Sequence, residues 1–333
     1  MHIGMVYDLK EDYGIDKQNI TYCDFANLVE MQHIQNILEE IGCFVTMIGS
    51  PIDFSKEIQN GNYKNYNLIF NFAEGYQSRN RESLVPALCE SYGIPYTFSD
   101  CHAMDLTLHK HQLLLYAESM GLTIPKGFLF IPEIHDQSYI KKACIEMNLS
   151  FPIVSKPNRE GTSMGLSFSS SLKELVDNVL RTTNLYQQEV RCDEYIDGHE
   201  IAVPILGTGE NAQVLGIVEY QEKDGSPMRH YTTYAKESKN HKTVYQSFGF
   251  DIDNKVVNDA LLIHRSIPCY DLSRIDMRLR NGIPYLLEVT TIPALNPGST
   301  FEFCANKRGL SPTDLYRMII ASAMERYGGF HEP

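Results

Sequence analysis

The chain has 333 residues, 43% of them hydrophobic, enough for two or three domains with cores of their own. Its 29 basic and 42 acidic side chains leave a net charge of −13, which argues against a nucleic-acid partner, because that affinity comes from neutralising many phosphates. A membrane partner is not expected either, since no apolar run approaches the ~20 residues of a membrane span.

The eight cysteines, at 23, 43, 89, 101, 144, 192, 269 and 304, form no C-x-x-C pair, so zinc ribbons and dithiol redox motifs are not expected. The chain opens Met1-His-Ile-Gly-Met-Val-Tyr7, a strand-like run with no basic leader or cleavable apolar segment. A cytoplasmic protein with reduced, mostly buried thiols is the simplest reading.

In chain order, 2–7 reads as a strand and 27–41 as a helix, with Leu28, Met31, Ile34, Ile37, Leu38 and Ile41 at helical spacing and Gly42 beyond its end. Strands follow at 43–48 and 67–72, a helix at 81–92 and a short strand at 96–98. Strands alternating with helices imply a parallel sheet whose ligands bind at the strands' carboxyl ends, and Glu74 lies just past the third strand. A single helix is predicted over 105–120, then strand, helix and strand at 127–131, 137–147 and 152–156. The segment 166–168 pairs back across a glycine-containing loop, and a helix covers 172–182. The remainder is mostly sheet, at 188–196, 200–206 and 212–220, with helices at 254–267 and 312–326. The polar stretch 224–249 is long for a connector, and such loops are often lids.

The most informative string is Arg274-Ile-Asp276-Met-Arg278, then Asn281-Gly282, then Tyr285-Leu-Leu-Glu288-Val-Thr290. Asn-Gly between two apolar runs signals a hairpin, which would bring Asp276 and Glu288 together. Two facing carboxylates need a counter-charge, and Mg²⁺ shared with nucleotide phosphates is a fitting one; two solvated edge carboxylates would give the same string. Upstream, Phe151-Pro-Ile-Val-Ser-Lys156 ends in a lysine, followed by Glu160-Gly161-Thr162-Ser163-Met-Gly165. Glycines let backbone N–H groups approach phosphate oxygens, and the lysine adds positive charge. The order is not that of a P-loop, and a ligand-free surface hairpin is the plainer alternative.

Together these segments resemble the ATP-grasp enzymes, and within them the D-alanine–D-alanine ligase branch. The resemblance extends over nearly the whole chain, including Asn71-Phe-Ala-Glu74-Gly75, Arg79-Asn-Arg81-Glu82, Gly93-Ile-Pro-Tyr-Thr-Phe-Ser99-Asp100, Leu106-Thr-Leu-His-Lys110 and Glu288-Val-Thr-Thr-Ile-Pro293-Ala-Leu-Asn-Pro-Gly298-Ser299. It implies an α/β (α+β) ATP-grasp fold. A Rossmann-like pre-ATP-grasp domain would span 1–100, a central ATP-grasp subdomain 101–186 and a catalytic subdomain 187–333. It implies ATP and Mg²⁺ as cofactors, and an amide formed from small-molecule carboxylate and amine substrates through an acyl phosphate. A carrier-protein thiol as acceptor and a non-catalytic nucleotide-binding subunit are the alternatives, and a homodimer is the common default.

The resemblance also assigns residues. Lys110 and Lys156 would meet the α- and β-phosphates, with Gly161, Thr162 and Ser163 beneath them. Glu194, Tyr195 and Ile196 would form the adenine hinge, and Glu200 would hold the ribose. Lys236, in Tyr234-Ala-Lys236 of the polar loop, would swing onto the γ-phosphate. Arg274 would hold the acyl phosphate, and the backbone near Ala294 and Ser299 would position substrate. Asp276, Glu288 and Thr290 would hold the metal, while Glu74, Arg79, Arg81 and Glu82 would shape the substrate pocket. For Arg81 and Glu82 a helix-starting role is the alternative.

Four positions depart from the branch. Asp8-Leu-Lys-Glu11-Asp12-Tyr-Gly14 replaces the glycine-serine-glutamate motif whose acid binds the donor ammonium. Glu237 follows the loop lysine where tyrosine is usual, Thr290 replaces a metal-loop asparagine, and Ala294 replaces a glycine. Together they speak against D-alanine as both substrates.

Overall fold

The computed structural model describes residues 1–16, 19, 22–228 and 241–328, so Lys236 lies outside the described residues. The chain starts with β1 (His2–Tyr7), α1 (Leu28–Glu40), β2 (Phe44–Gly49), α2 (Pro51–Gln59) and β3 (Leu68–Phe72). The three strands run parallel in the order β2-β1-β3, as strand–helix alternation requires. Helix α1 buries Met31, Ile34, Ile37 and Leu38, and Asn27 caps it by accepting from the Glu30 amide. Helix α2 had no counterpart in the periodicity, but its start carries a capping box: Ser50 accepts from the Asp53 amide, Asp53 accepts in return, and Pro51 opens the helix. The strand expected at 96–98 is only a bridge between Ile69 and Tyr96.

A 3₁₀ turn (Arg81–Ser83) leads into α3 (Leu84–Tyr92), which ends on left-handed Gly93. The helix expected over 105–120 is two helices, α4 (Cys101–Leu108) and α5 (Lys110–Ser119), broken at non-helical His109. The break has a tertiary cause. Asn158, in the loop after the lysine strand, accepts from the Lys110 amide through its backbone oxygen (3.0 Å) and from the His111 amide through Oδ1 (2.9 Å). Those bonds replace the intrahelical ones and set Lys110 at the head of a helix.

The second sheet comprises β4 (Gly127–Phe130), β5 (Ile153–Pro157), β6 (Ser167–Ser169) and β7 (Val190–Glu194), antiparallel in the order β4-β7-β5-β6. Helices α6 (Gln137–Glu146) and α7 (Leu172–Tyr186) cover it. This sheet runs on to Glu194, past the boundary expected at 186. The third sheet contains β8 (His199–Leu206), β9 (Gln213–Val214), β10 (Val218–Gln221), β11 (Lys242–Tyr245), β12 (Leu272–Arg280) and β13 (Ile283–Thr290). Its order is β11-β10-β8-β12-β13, with β9 beside β8. Helix α8 (Phe250–Ser266) packs on this sheet. Asn281 and Gly282 join β12 to β13 with φ of 53° and 77°, the two positive values of a tight hairpin turn.

The last helices, α9 (Thr300–Lys307) and α10 (Pro312–Glu325), return to the first sheet. Tyr316 stacks on Phe70 at 6.2 Å, and one apolar core joins β1–β3, α1 and these helices. Buried Asp271 adds a polar tie by accepting from the Phe98 amide, Ser322 and Arg326. The first and third sheets are therefore held against each other at the cleft. Among the described residues no helix is long and apolar enough to cross a membrane, and no cysteines are joined.

Candidate active site

A cleft of about 620 Å³ lies where the three sheets meet. The β12–β13 hairpin forms one wall, with Asp276 directly opposite Glu288 and a bulge beside them at Leu287. Each carboxylate already has a protein cation. Arg274 grips Asp276 through two bonds of 2.8 and 2.7 Å and reaches Thr290 Oγ1 at 3.4 Å. Lys110 lies 2.6 Å from Glu288 Oε1 and donates to the Glu160 carbonyl, also at 2.6 Å. Arg274 and Lys110 thus supply counter-charges to the two carboxylates expected to hold a metal.

The donor chemistry nonetheless fits Mg²⁺: two in-register carboxylates and a hydroxyl are hard oxygen donors. No three His, Cys, Asp or Glu side chains gather into a metal cluster among the described residues.

The glycine loop forms the facing wall. Thr162, Ser163 and Gly165 hold φ of 52°, 60° and 68°, and a Cβ on Gly165 would stand 2.6 Å from Pro157 Cγ. Two non-glycine residues in left-handed conformation are strained, a condition that clusters at ligand clamps. Lys156, on β5 beside this loop, sits 3.4 Å from Asp193 Oδ2 on β7. Both lysines line the cleft.

The segment expected to meet adenine also lines it. Glu194 Oε1 accepts from the Lys126 amide (3.0 Å), the Tyr195 amide donates to Pro152 O (3.3 Å), and Ile196 O accepts from Arg278 (2.8 Å). Arg278 also donates twice to Glu200 Oε2, at 3.3 and 2.8 Å, and its guanidinium lies over the Tyr195 ring. The hinge is braced by one arginine, a residue the sequence reading left without a role. Its signal was legible: Arg274, Asp276 and Arg278 alternate on one face of β12.

At the far end the charge balance changes. Glu74 and Glu82 both line the cleft, together with Asp24 and Glu160. Arg81 is buried among them, 3.2 Å from Asp24 Oδ2 and 3.6 Å from Glu160 Oε2, with a further bond to Arg159 O. Gly75 makes this turn possible, since at φ 75° a Cβ would stand 2.3 Å from the Arg81 carbonyl. Burial drives the Glu74 carboxyl well above its usual range, with Glu82 and Asp24 adding repulsion. Burial also pushes Glu82 up to about 7, against the opposing pull of Arg81.

Not every expected residue reaches the cleft: Arg81, though buried among these acids, is not part of the lining. Arg79 has a side chain 62% exposed, pairs with Glu189 at 3.4 Å, and is not part of the lining. It sits on an exposed turn that ends before the chain turns inward at Arg81. Ser299 does line the cleft, but its hydroxyl caps α9 by accepting from the Glu302 amide, and its own amide donates to Asn296 O. No acid of the 8–14 stretch lines the cleft. Asp8 is fully buried and braces Tyr13 and the Gly75 amide instead. Asp24, Glu160 and Asp193 were missed as site residues. Asp24 falls in a stretch without periodicity, so nothing in the pattern marked it.

A family model described as "D-ala D-ala ligase C-terminus" matches residues 117–321. The uncharacterized protein y4sG of Sinorhizobium fredii is 30% identical over 265 residues, covering 79% of this chain and 76% of its own. A D-alanine–D-alanine ligase of Fervidobacterium nodosum is 28% identical, covering 79% and 84%. Among solved structures, the D-alanine–D-alanine ligase of Bacillus anthracis complexed with ATP superposes with a TM-score of 0.75 at 21% identity, covering 99% of this chain and 100% of that one. The VanG D-Ala:D-Ser ligase of Enterococcus faecalis gives 0.73 at 18%, covering 97% and 99%. These two likenesses establish the ATP-grasp fold.

Proposed function

The chain belongs to the D-alanine–D-alanine ligase family, ATP-grasp enzymes that form carbon–nitrogen bonds, and on that premise we propose that it joins a small-molecule acid to an amine through an acyl phosphate. The observation that carries this reading is one run of contacts. Glu288 touches Lys110, and Lys110 touches the glycine loop at Glu160 O, so hairpin, helix head and phosphate loop share one cleft.

In this reading Lys110 and Lys156 neutralise the α- and β-phosphates, and backbone groups of Gly161, Thr162 and Ser163 lie under the triphosphate. Glu194, Tyr195 and Ile196 take the adenine and Glu200 the ribose. Asp276, Glu288 and Thr290 hold Mg²⁺, which when bound supplies charge that lets one anion approach another. A bound cation would give Asp276 and Glu288 a second partner, and Lys110 and Arg274, already beside them, would then serve phosphate oxygens. Arg274 then holds the transferred phosphoryl group as an always-charged, bidentate donor. Lys236, outside the described residues, would meet the γ-phosphate, and exclusion of water there would protect an acyl phosphate from hydrolysis. The substrate carboxylate takes the γ-phosphoryl group and ADP leaves. The amine attacks the acyl carbon and phosphate departs. Ala294 and Ser299 wall the reacting end, and Glu74, Arg81 and Glu82 shape the substrate pocket.

The test is a screen of acid and amine pairs for ADP and phosphate release, with products read by mass spectrometry. Release that requires both partners, with an amide of the summed mass less water, supports the reading. Tight ATP binding without turnover on any pair overturns it.

A further inference from the structure

Asp24, missed in the sequence, has a side chain only 8% exposed and lines the cleft, yet its Oδ1 has no hydrogen-bond partner. A buried, unpartnered carboxylate oxygen is costly unless a ligand completes it. It ends a relay of contacts from the hairpin: Glu288 to Lys110 at 2.6 Å, Lys110 to Glu160 O at 2.6 Å, Glu160 Oε2 to Arg81 at 3.6 Å, and Arg81 to Asp24 Oδ2 at 3.2 Å. The orphaned oxygen therefore lines the same cleft as the hairpin and is joined to it by side-chain contacts.

The charges around it do not balance. Asp24, Glu74, Glu82 and Glu160 crowd Arg81, and Lys110 is committed to Glu288. Among the described residues Arg81, with a lesser pull from Lys110 on Glu82 and Glu160, faces four carboxylates, so acids outnumber cations. Arg81 is already engaged by Arg159 O, Asp24 and Glu160. A neutral zwitterionic amino acid brings a single ammonium, and its carboxylate must face the phosphate end. That ammonium offsets one acid, and a second would give a further carboxyl, now pushed toward its protonated form by burial, a cation to ionise against. Phe25 also lines this end, within a pile of rings with Tyr13, Tyr22 and Tyr76, a surface suited to an alkyl chain carrying a cation.

We propose that this pocket, centred on Asp24 and Glu74, binds a substrate amino acid with a second ammonium group, a basic or diamino acid. The proposal rests on the ligase reading and names its substrate class.

The test compares lysine, ornithine and 2,4-diaminobutyrate with alanine, in both hands, as donor and as acceptor, by ATP-dependent phosphate release. At least one basic amino acid is expected to exceed alanine tenfold in kcat/KM. Glu74→Gln, which breaks no hydrogen bond among the described residues, should cut that ratio about tenfold, mainly through KM for the amino acid, with KM for ATP unchanged. Alanine matching every basic amino acid, or a ratio untouched by Glu74→Gln, overturns the proposal. If no mixture releases phosphate, the ligase reading falls separately. Calorimetry of lysine against alanine on protein loaded with a non-hydrolysable ATP analogue then decides the pocket, and equal binding overturns it. Asp24→Asn strips a partner from buried Arg81, so it is read only in this binding experiment, on protein that retains the analogue.

Discussion

At the hairpin end of the cleft, Asp276 and Glu288 pair with Arg274 and Lys110, whereas beyond β3 the carboxylates of Asp24, Glu74, Glu82 and Glu160 share Arg81, with a lesser pull from Lys110 on Glu82 and Glu160. The first arrangement is two matched ion pairs. The second has more acids than cations; burial raises the Glu74 and Glu82 carboxyls toward their protonated forms, and one Asp24 oxygen has no hydrogen-bond partner. Charge is matched pair by pair at one end and is in acidic excess at the other.

The largest expected effect breaks the matched end. Glu288→Gln keeps the shape but leaves Lys110 without its anion. It should lower kcat for ADP release by roughly 10²–10³-fold, with the protein still folded by circular dichroism. Activity within a few-fold of wild type would remove Glu288 from the chemistry. Gly75→Ala attacks the frame of the unmatched end, since its Cβ meets the Arg81 carbonyl at 2.3 Å and its φ is 75°. Urea denaturation should show a loss of roughly 1–3 kcal/mol, and an unchanged midpoint would mean the turn is not under this constraint.

A smaller effect separates the ends by pH. Glu82 has its carboxyl raised from the ordinary 4.5 to about 7, so protonation favours the fold. Its stabilising contribution is complete below pH 4.5 and is lost as pH rises through about 7. Relative to Glu82→Gln, wild type should therefore lose roughly 2–4 °C of Tm between pH 5 and pH 8. Parallel curves for the two proteins would contradict the burial of that carboxylate. The smallest effect is the control: Arg79→Ala, outside the cleft, should shift stability by no more than about 0.5 kcal/mol and leave every KM in place. A raised KM for the amino acid would return Arg79 to the pocket.

Much of this cleft was legible because its signals are local. Asn281-Gly282 specifies a two-residue turn, the turn specifies the register, and the register puts Asp276 opposite Glu288. The Ser50 and Ser299 caps were equally local and could have revealed α2 and α9. The break at His109 was not local, because apolar spacing runs unbroken across it and the competing bonds come from Asn158, 47 residues away from His111.

What the amino-acid order determined by itself, then, was the set of strands and turns whose hydrogen bonds close between near neighbours, and with them the family and the hairpin pair. Tertiary structure alone decided which charges meet. It set Lys110 against Glu288, kept Arg79 at the surface while burying Arg81, and brought Asp24 to the cleft from a stretch with no pattern. Electrostatic partnership depends on distance and burial in space, and neither is written in the spacing of residues along a chain.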